Sequence, residues 1–526
     1  MNDDFSRTPT PIPIPAWTDE QTCIIEHELK PGHVSLVEGF AGCSKTTTLF
    51  QLCKRNWDKR ILYFTFNRSL MESSKDRFKD FPHVTIDTFH SFALRELSRS
   101  ISVEDEPPIE VVDLISVSDA MDALHTEDYE NVAGAIRVLE KYCSTVDGPI
   151  LPEHAEGILP RMAIPELSVR LAKKLHALIL TGRFPYPHDM YMKRYMNLHP
   201  ELLEYDVILV DEAQDITPLQ LDFVLRQKHA SMVLVGDPHQ TLYTFRFVCN
   251  PFEAIPDLGG VVVPYKRFRL SKSFRFGSEI SSFSTKFLQH FKDDASIRIQ
   301  SHGSIAEDCT KIEYQTPTEF PRKRTHLYRT NRGLVKELFG MTHDPDVRSV
   351  HVLGNAFVPR EEMRALREIQ AVIDKNHETV TFQNPLMKKC TTLRDLRNLF
   401  GSIRDFRGTL RIDLVREFGM KAMFHHWENV DEKIEDAAES ADVVLGTVHQ
   451  AKGLEFDHVV LGDDFPTIES VKQLTLHDKK QNMIDILNIY YVAITRARKV
   501  LYLNQVLRTF DNKKEGNQTT LESYFK

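Results

Sequence analysis

At 526 residues, 41% of them hydrophobic, the chain can bury several cores and is expected to divide into several domains. No apolar run reaches the ~18 residues of a membrane span, and no membrane partner is expected. The seven cysteines form no C-x-x-C pair, the opening residues carry no secretory apolar segment, and a reduced, intracellular setting is the expectation. The net charge of −9 offers no bulk attraction to nucleic acid, so binding of that kind must rest on local sites.

The chain opens with a proline-rich arm, residues 1–16, whose TPTPIPIP run reads as extended polyproline. Residues 34–50, VSLVEGFAGCSKTTTLF, set an apolar strand at Val34–Val37, a loop, and a helix from Thr46 to Arg55. A phosphate-binding loop lies between strand and helix, where backbone N–H groups and the helix N-terminus converge. Gly39, Gly42, Cys43, Ser44, Lys45, Thr46 and Thr47 make up this candidate cradle, in G-x-x-x-x-G-K-[ST] register except that Ser44 stands where the pattern has glycine. Ser44 keeps the N–H and adds a Cβ, which is tolerated if its φ is negative.

The body alternates strand-like runs with helical patterns, which predicts an α/β fold. Residues 98–193 read as a mostly helical insertion with an acidic start at Val103–Pro108, and residues 346–441 as a second. In YDVILVDEAQD, residues 205–215, Val207–Val210 form a buried strand with Asp211 and Glu212 at its carboxyl end, the end that faces ligand in a parallel sheet. Asp211 with Thr46 suits Mg²⁺, and Glu212 suits the orientation and deprotonation of water.

Seven pieces stand in order, these two among them: GFAGCSKT, DTFHSFA at 87–93, VDEAQD, VGDPHQTLYTFR at 235–246, SFRFG at 273–277, GTVHQAKGLEF at 446–456 and YVAITRAR at 491–498. Over roughly residues 17–505 the chain resembles superfamily-1 helicases of the UvrD/Rep type. It is most similar to the F-box DNA helicase branch, with HDMYMK at 188–193 among the distinguishing pieces. The resemblance implies two RecA-like P-loop NTPase domains, each with a largely helical insertion, and ATP-driven 3′→5′ movement on single-stranded DNA. The expected divisions are 17–97, 194–262 for the first RecA-like domain around the 98–193 insertion, and 263–345, 442–508 for the second around the 346–441 insertion, followed by a tail at 509–526.

The resemblance also assigns roles. Gln21 matches the glutamine that reads adenine, Phe274 the aromatic that stacks on the base, and Glu455 the glutamate that meets the ribose. Arg275 and Arg496 match arginines that reach the γ-phosphate from the second domain, and Gln240 the glutamine that senses it; with Lys45, Asp211 and Glu212 they form the implied catalytic set. Single strands are gripped by stacking and phosphate contacts, and the expected track comprises Phe64, Asn67, Thr88, Phe89, His90, Tyr243, Phe245 and Arg246. Single-stranded and tailed duplex DNA are the implied substrates. Two other readings stay open: a catalytically impaired DNA-binding protein, and an RNA-directed motor of the same superfamily.

Too few residues precede Trp17 for an F-box, so no ubiquitin-ligase subunits are expected as partners. The tail ends in QTTLESYF, residues 518–525, which resembles the peptide that binds the sliding clamp PCNA. One tight turn would put Leu521, Tyr524 and Phe525 on a single face, with the Gln518 amide free for a polar pocket. The expected location is the nucleus or a viral replication site.

Overall fold

The computed structural model describes residues 17–512 apart from 101–109, 161, 259–262, 293, 306–309, 316–319, 468–469 and 472–479. The proline-rich arm and the tail segment expected to bind a clamp, with Gln518, Leu521, Tyr524 and Phe525, lie outside the described residues. In chain order the strands are β1 Val34–Gly39, β2 Ile61–Thr65, β3 Val84–Thr88, β4 Val111–Val112, β5 Tyr186–Pro187, β6 Val207–Val210, β7 Ser231–Gly236 and β8 Tyr265–Leu270. There follow β9 Lys272–Ser273, β10 Gln300–Ser301, β11 Lys311–Glu313, β12 Arg324–Tyr328, β13 Val350–Val352, β14 Val443–Thr447, β15 Phe456–Leu461 and β16 Ala497–Tyr502.

β2, β6 and β7 are buried along their whole length because helices cover both faces of a parallel sheet, which is why they read as unbroken apolar runs. Among the described residues, six strands form one parallel sheet in the order β3-β2-β6-β7-β1-β8. Six more form a second, β11-β16-β15-β12-β14-β13, also parallel. These are the two RecA-like units. A continuous apolar cluster joins them, running from Val37 and Val235 to Tyr490, Tyr491 and Val492 on the helix Lys480–Ile494.

Two boundaries differ from expectation. Tyr265–Leu270, assigned to the second domain, pairs with β1 and is the edge strand of the first sheet. Val350–Val352, assigned to the second insertion, pairs with β14 in the second sheet. Val350–Val352 is only three residues long, and β8 is masked by its charges: Arg267 and Arg269 reach out to Glu38 at 3.2 and 3.5 Å, so part of the basic run at 266–275 serves this edge. Ser271 alone separates β8 from β9. Glu20 clasps it, accepting from its N–H at 2.7 Å and its hydroxyl at 2.6 Å.

The first insertion is built on the helices Val117–Leu124, Tyr129–Ser144, Pro165–Leu180 and His188–Asn197, with β4 paired to β5. The second carries Pro359–Ile373, Leu393–Ser402, Phe406–Phe418 and Met420–Lys433. No helix among the described residues is long and apolar enough to cross a membrane.

Candidate functional site

β1 ends at Gly39, and the chain turns through Phe40–Ser44 into the helix Lys45–Arg55. The first backbone bond of that helix runs from Thr48 N–H to Ser44 O at 3.0 Å, so the amides of Lys45, Thr46 and Thr47 precede its ladder. The Lys45 ammonium folds back over the loop and donates to Gly39 O at 3.0 Å and Phe40 O at 3.5 Å. A Cβ on Gly39 would lie 2.7 Å from Lys45 Cγ, so glycine is what admits the lysine. At Gly42, φ +74°, a Cβ would lie 2.5 Å from Ser273 Oγ, and its absence lets the chain after β8 close on the loop.

Ser44 overturns the condition set for it. Its φ is +55° and ψ +40°, the left-handed region, so a residue with a Cβ stands where the turn into the helix calls for glycine. Cys43 also departs from expectation, since its N–H is committed to Phe40 O at 3.3 Å and its thiol is buried and pushed up by that burial. The Thr47 hydroxyl accepts from Arg77 at 2.8 Å. Gln21 is only 2% exposed: its carbonyl accepts the Thr18 N–H at 3.2 Å and its amide donates to Thr48 Oγ1 at 3.2 Å.

Asp211 and Glu212 emerge from β6 facing this loop. Asp211 Oδ2 accepts from Thr46 Oγ1 at 3.4 Å and from Tyr63 OH at 2.8 Å. Burial, then the neighbouring Glu212 charge, raise the Asp211 pKa. Burial opposes ionisation of Glu212 too, but the Lys45 and Lys452 charges outweigh it and hold that carboxyl below its usual range. Gln214 donates to Glu212 Oε2 at 2.5 Å and fixes the side chain. The set fits a nucleoside triphosphate with a hard divalent cation: open amides and an ammonium for phosphate, and a hydroxyl beside a carboxylate for the metal.

The second domain closes the site. Arg496 is 1% exposed; it donates to Gln240 Oε1 at 3.0 Å, Leu454 O at 3.1 Å and Val492 O at 3.0 Å. Burial, then the Arg275 charge, lower its pKa to about 9. Arg275 is held by Glu455 at 2.8 Å and Thr495 O at 2.9 Å, so Glu455 here faces an arginine. Gln240 in turn donates to Asp237 at 2.6 Å. Phe274, half-buried, sends its N–H to Gly42 O at 2.8 Å.

Beyond Asp215 lies a cleft of about 970 Å³, lined by Asn67, Thr88, Phe89, His90, Phe245 and Arg246 among others. Phe245 stands 57% exposed there, beside Tyr243, whose ring lies 5.6 Å from the Arg246 guanidinium. One expected track residue is not available to a strand. Phe64 is 0% exposed and stacks on the buried Phe89 at 4.1 Å, because β2 is covered on both faces. Phe66, just past the end of β2, is the aromatic that reaches the cleft, stacked on Tyr243 at 5.2 Å. Asn67 caps the helix Arg68–Arg77 through Leu70 N–H at 2.9 Å, Thr88 Oγ1 meets Ser91 Oγ at 2.8 Å, and His90 meets Asp189 at 2.8 Å.

Sequence reasoning also passed over Lys452. It crosses from the second domain to form an ion pair with Asp215, donates to Gln240 O at 2.8 Å, and lies 5.1 Å from the Tyr243 ring centre. Burial pushes Asp215 up to about 6 even so. Lys452 and Tyr491 both lie inside the quoted motifs, and for Tyr491 a hydroxyl within an apolar run is the available signal.

A UvrD-like helicase C-terminal domain matches residues 269–507, and an AAA domain matches residues 21–246. The chain is 27% identical to F-box DNA helicase protein 1 of Schizosaccharomyces pombe, over 93% of this chain and 57% of that protein. It is 26% identical to F-box DNA helicase 1 of Gallus gallus, over 93% of this chain and 49% of that protein. A probable DNA helicase II homolog of Mycoplasma genitalium is 32% identical over 25% of this chain and 16% of that protein. The chain thus spans about half the length of the two F-box DNA helicases. With its two halves matched in order and both parallel sheets in place, the chain belongs to the UvrD-type superfamily-1 helicases.

Proposed function

We propose that the chain is an ATP-driven motor that moves 3′→5′ on single-stranded DNA and unwinds tailed duplexes in replication, repair or recombination. The observation that carries this reading is Arg496 of the second domain, buried 3.0 Å from Gln240 of the first, so that closure of two domains assembles one set of charges around Lys45.

The amides of Lys45, Thr46 and Thr47 and the Lys45 ammonium grip the β- and γ-phosphates. Thr46 and Asp211 would hold Mg²⁺, which when bound offsets charge on the phosphate oxygens. Glu212, kept ionised by Lys45 and Lys452, orients the attacking water. Gln214 occupies Oε2, leaving Oε1 to take the proton. As charge develops on the transferring group, Arg275 exchanges Glu455 for phosphate and Arg496 meets it from Gln240. Gln21 and Phe274 hold the base, and Glu455, once released, reaches the ribose. Phe66, Tyr243, Phe245 and Arg246 line the strand, and Lys452 joins that wall to Asp215.

ATP hydrolysis with and without single-stranded DNA, run beside strand displacement on 3′- and 5′-tailed duplexes, tests the proposal. DNA should stimulate hydrolysis and only the 3′ tail should support displacement. Binding without turnover would make the chain an impaired DNA-binding protein. Stimulation by RNA alone would make it an RNA motor.

The tail adds a recruitment proposal: Gln518, Leu521, Tyr524 and Phe525 dock on a PCNA-type sliding clamp, which places the motor in the nucleus or at a viral replication site. A synthetic peptide of residues 511–526 should bind purified PCNA, and changing Tyr524 and Phe525 to alanine should eliminate the signal. Equal binding by both peptides, or by neither, defeats the docking.

A further inference from the structure

Phe274 carries a second ring against one face. His302 stacks on it with 4.1 Å between centroids and 25° between planes. The backbone explains the meeting: β9 runs parallel to β10, and His302 N–H donates to Ser273 O at 2.8 Å, which brings the imidazole beside Phe274 one residue past the ladder. The ring is also fixed in rotation. His302 Nδ1 accepts the Ser304 N–H at 3.2 Å and lies 2.8 Å from Ser304 Oγ, so a neutral imidazole carries its proton on Nε2. Burial, then the Lys272 charge, hold the imidazole below its usual range, so the stack is between two neutral rings at physiological pH.

We propose that His302 is a positioning residue for the nucleotide base: it covers one face of Phe274 and presents the opposite face to a purine, giving a three-layer stack of base, Phe274 and His302. This rests on the reading of Phe274 as the base-stacking residue. The stack is tied to the phosphate loop by the Phe274 N–H on Gly42 O, so orienting the ring also sets the distance between base and phosphates. His302 also lines a groove of about 500 Å³ with Ser278, Arg298 and Ser301. Removing the imidazole therefore opens that face of the half-buried Phe274 to water and frees its ring, and ordering it again falls to the incoming base.

The full chain, with Mg²⁺ and saturating single-stranded DNA, supplies KM and kcat for ATP, and titration with N-methylanthraniloyl-ATP supplies affinity. His302→Ala should raise KM and Kd about three- to tenfold, the scale of one aromatic pair, with kcat kept. His302→Phe should restore both. Inhibition by inorganic tripolyphosphate, which has no base, should be the same in all three proteins. An unchanged KM in His302→Ala while Phe274→Ala raises it overturns the role of His302. Equal weakening of tripolyphosphate binding in His302→Ala also overturns it, because the damage is then to the loop rather than the base site. An unchanged KM in Phe274→Ala removes the base-stacking reading itself and this inference with it.

Discussion

The hydroxyl of Tyr491 donates to Asp237 at 3.2 Å while accepting the Ala41 N–H at 3.0 Å, so one phenol of the second domain bridges the phosphate loop and the end of β7. Both partners are buried, and burial raises the Asp237 pKa. Tyr491→Phe keeps the ring in the core but leaves the Ala41 N–H without its acceptor, a loss of about 1–3 kcal/mol. The variant should melt earlier and lose DNA stimulation of hydrolysis more than hydrolysis without DNA. Equal loss of the two rates would show the bridge to be structural only.

Ser44→Gly should stabilise the protein by about 0.5–1 kcal/mol, the left-handed strain relieved less the added chain entropy of glycine. Hydrolysis should be kept or raised, whereas Lys45→Ala should abolish it. Chemical denaturation and steady-state turnover on the same preparations check both; a destabilised Ser44→Gly would mean that the serine makes a contact worth more than the strain.

Glu212→Gln keeps the shape that Gln214 holds and removes the proton acceptor. It should bind ATP and DNA as the parent does but turn over at least ~100-fold more slowly. Filter binding with single-turnover hydrolysis separates the two, and parental turnover would put the base elsewhere.

Phe245→Ala should lose about 1–3 kcal/mol of affinity for single-stranded DNA. Phe64→Ala instead should cost about 3–5 kcal/mol of stability, because it empties a closed site between Phe89 and Phe223. Fluorescence anisotropy with labelled oligonucleotide and a melting curve assign each phenylalanine to its role.

Lys193 is 1% exposed, its ammonium donating to Thr145 O at 2.5 Å and lying 4.7 Å from the Tyr142 ring centre. Burial lowers its pKa from 10.5 to about 8. Between those values the unfolded chain binds more protons than the folded one, so this group's contribution to stability rises with pH from about 8 to 10.5 and is flat below. Lys193→Met should flatten that rise in denaturation midpoints measured across the window. An unchanged slope would return the lysine to an ordinary pKa.

The phosphate loop and the acidic pair were legible because each needs a contiguous signal, an apolar run ending in the residues assigned to the chemistry, whereas the two sheets followed from the family resemblance. What escaped depends on neighbours in space. Alternation cannot tell Phe64 from Phe66, since a strand covered on both faces buries every residue, and only the point where cover ends exposes a ring. The sign of φ at Ser44 is set by how the loop must enter the helix rather than by serine. Lys452 finds Asp215 across 237 residues of sequence, a distance no local pattern spans. β8 and β13 were misplaced for different reasons: the edge strand β8 exposes charged side chains that imitate a loop, and β13 is only three residues long.

Ser271 has a mechanical consequence for the proposed motor. With one residue between β8 of the first sheet and β9 beyond it, the connection spans only a few ångströms. Glu20 anchors that residue to the first domain through two hydrogen bonds. The connection therefore leaves the two halves little slack to slide apart, and the movement that suits the proposed motor is a swing about this region. In a swing, displacement grows with distance from the pivot, so a small change of angle beside the phosphate loop becomes a longer stroke at the outer helices of the insertions. On that proposal, step length on the strand is a matter of lever geometry, and lengthening the connection around Ser271 by a few glycines should decouple fuel use from travel while leaving each domain folded.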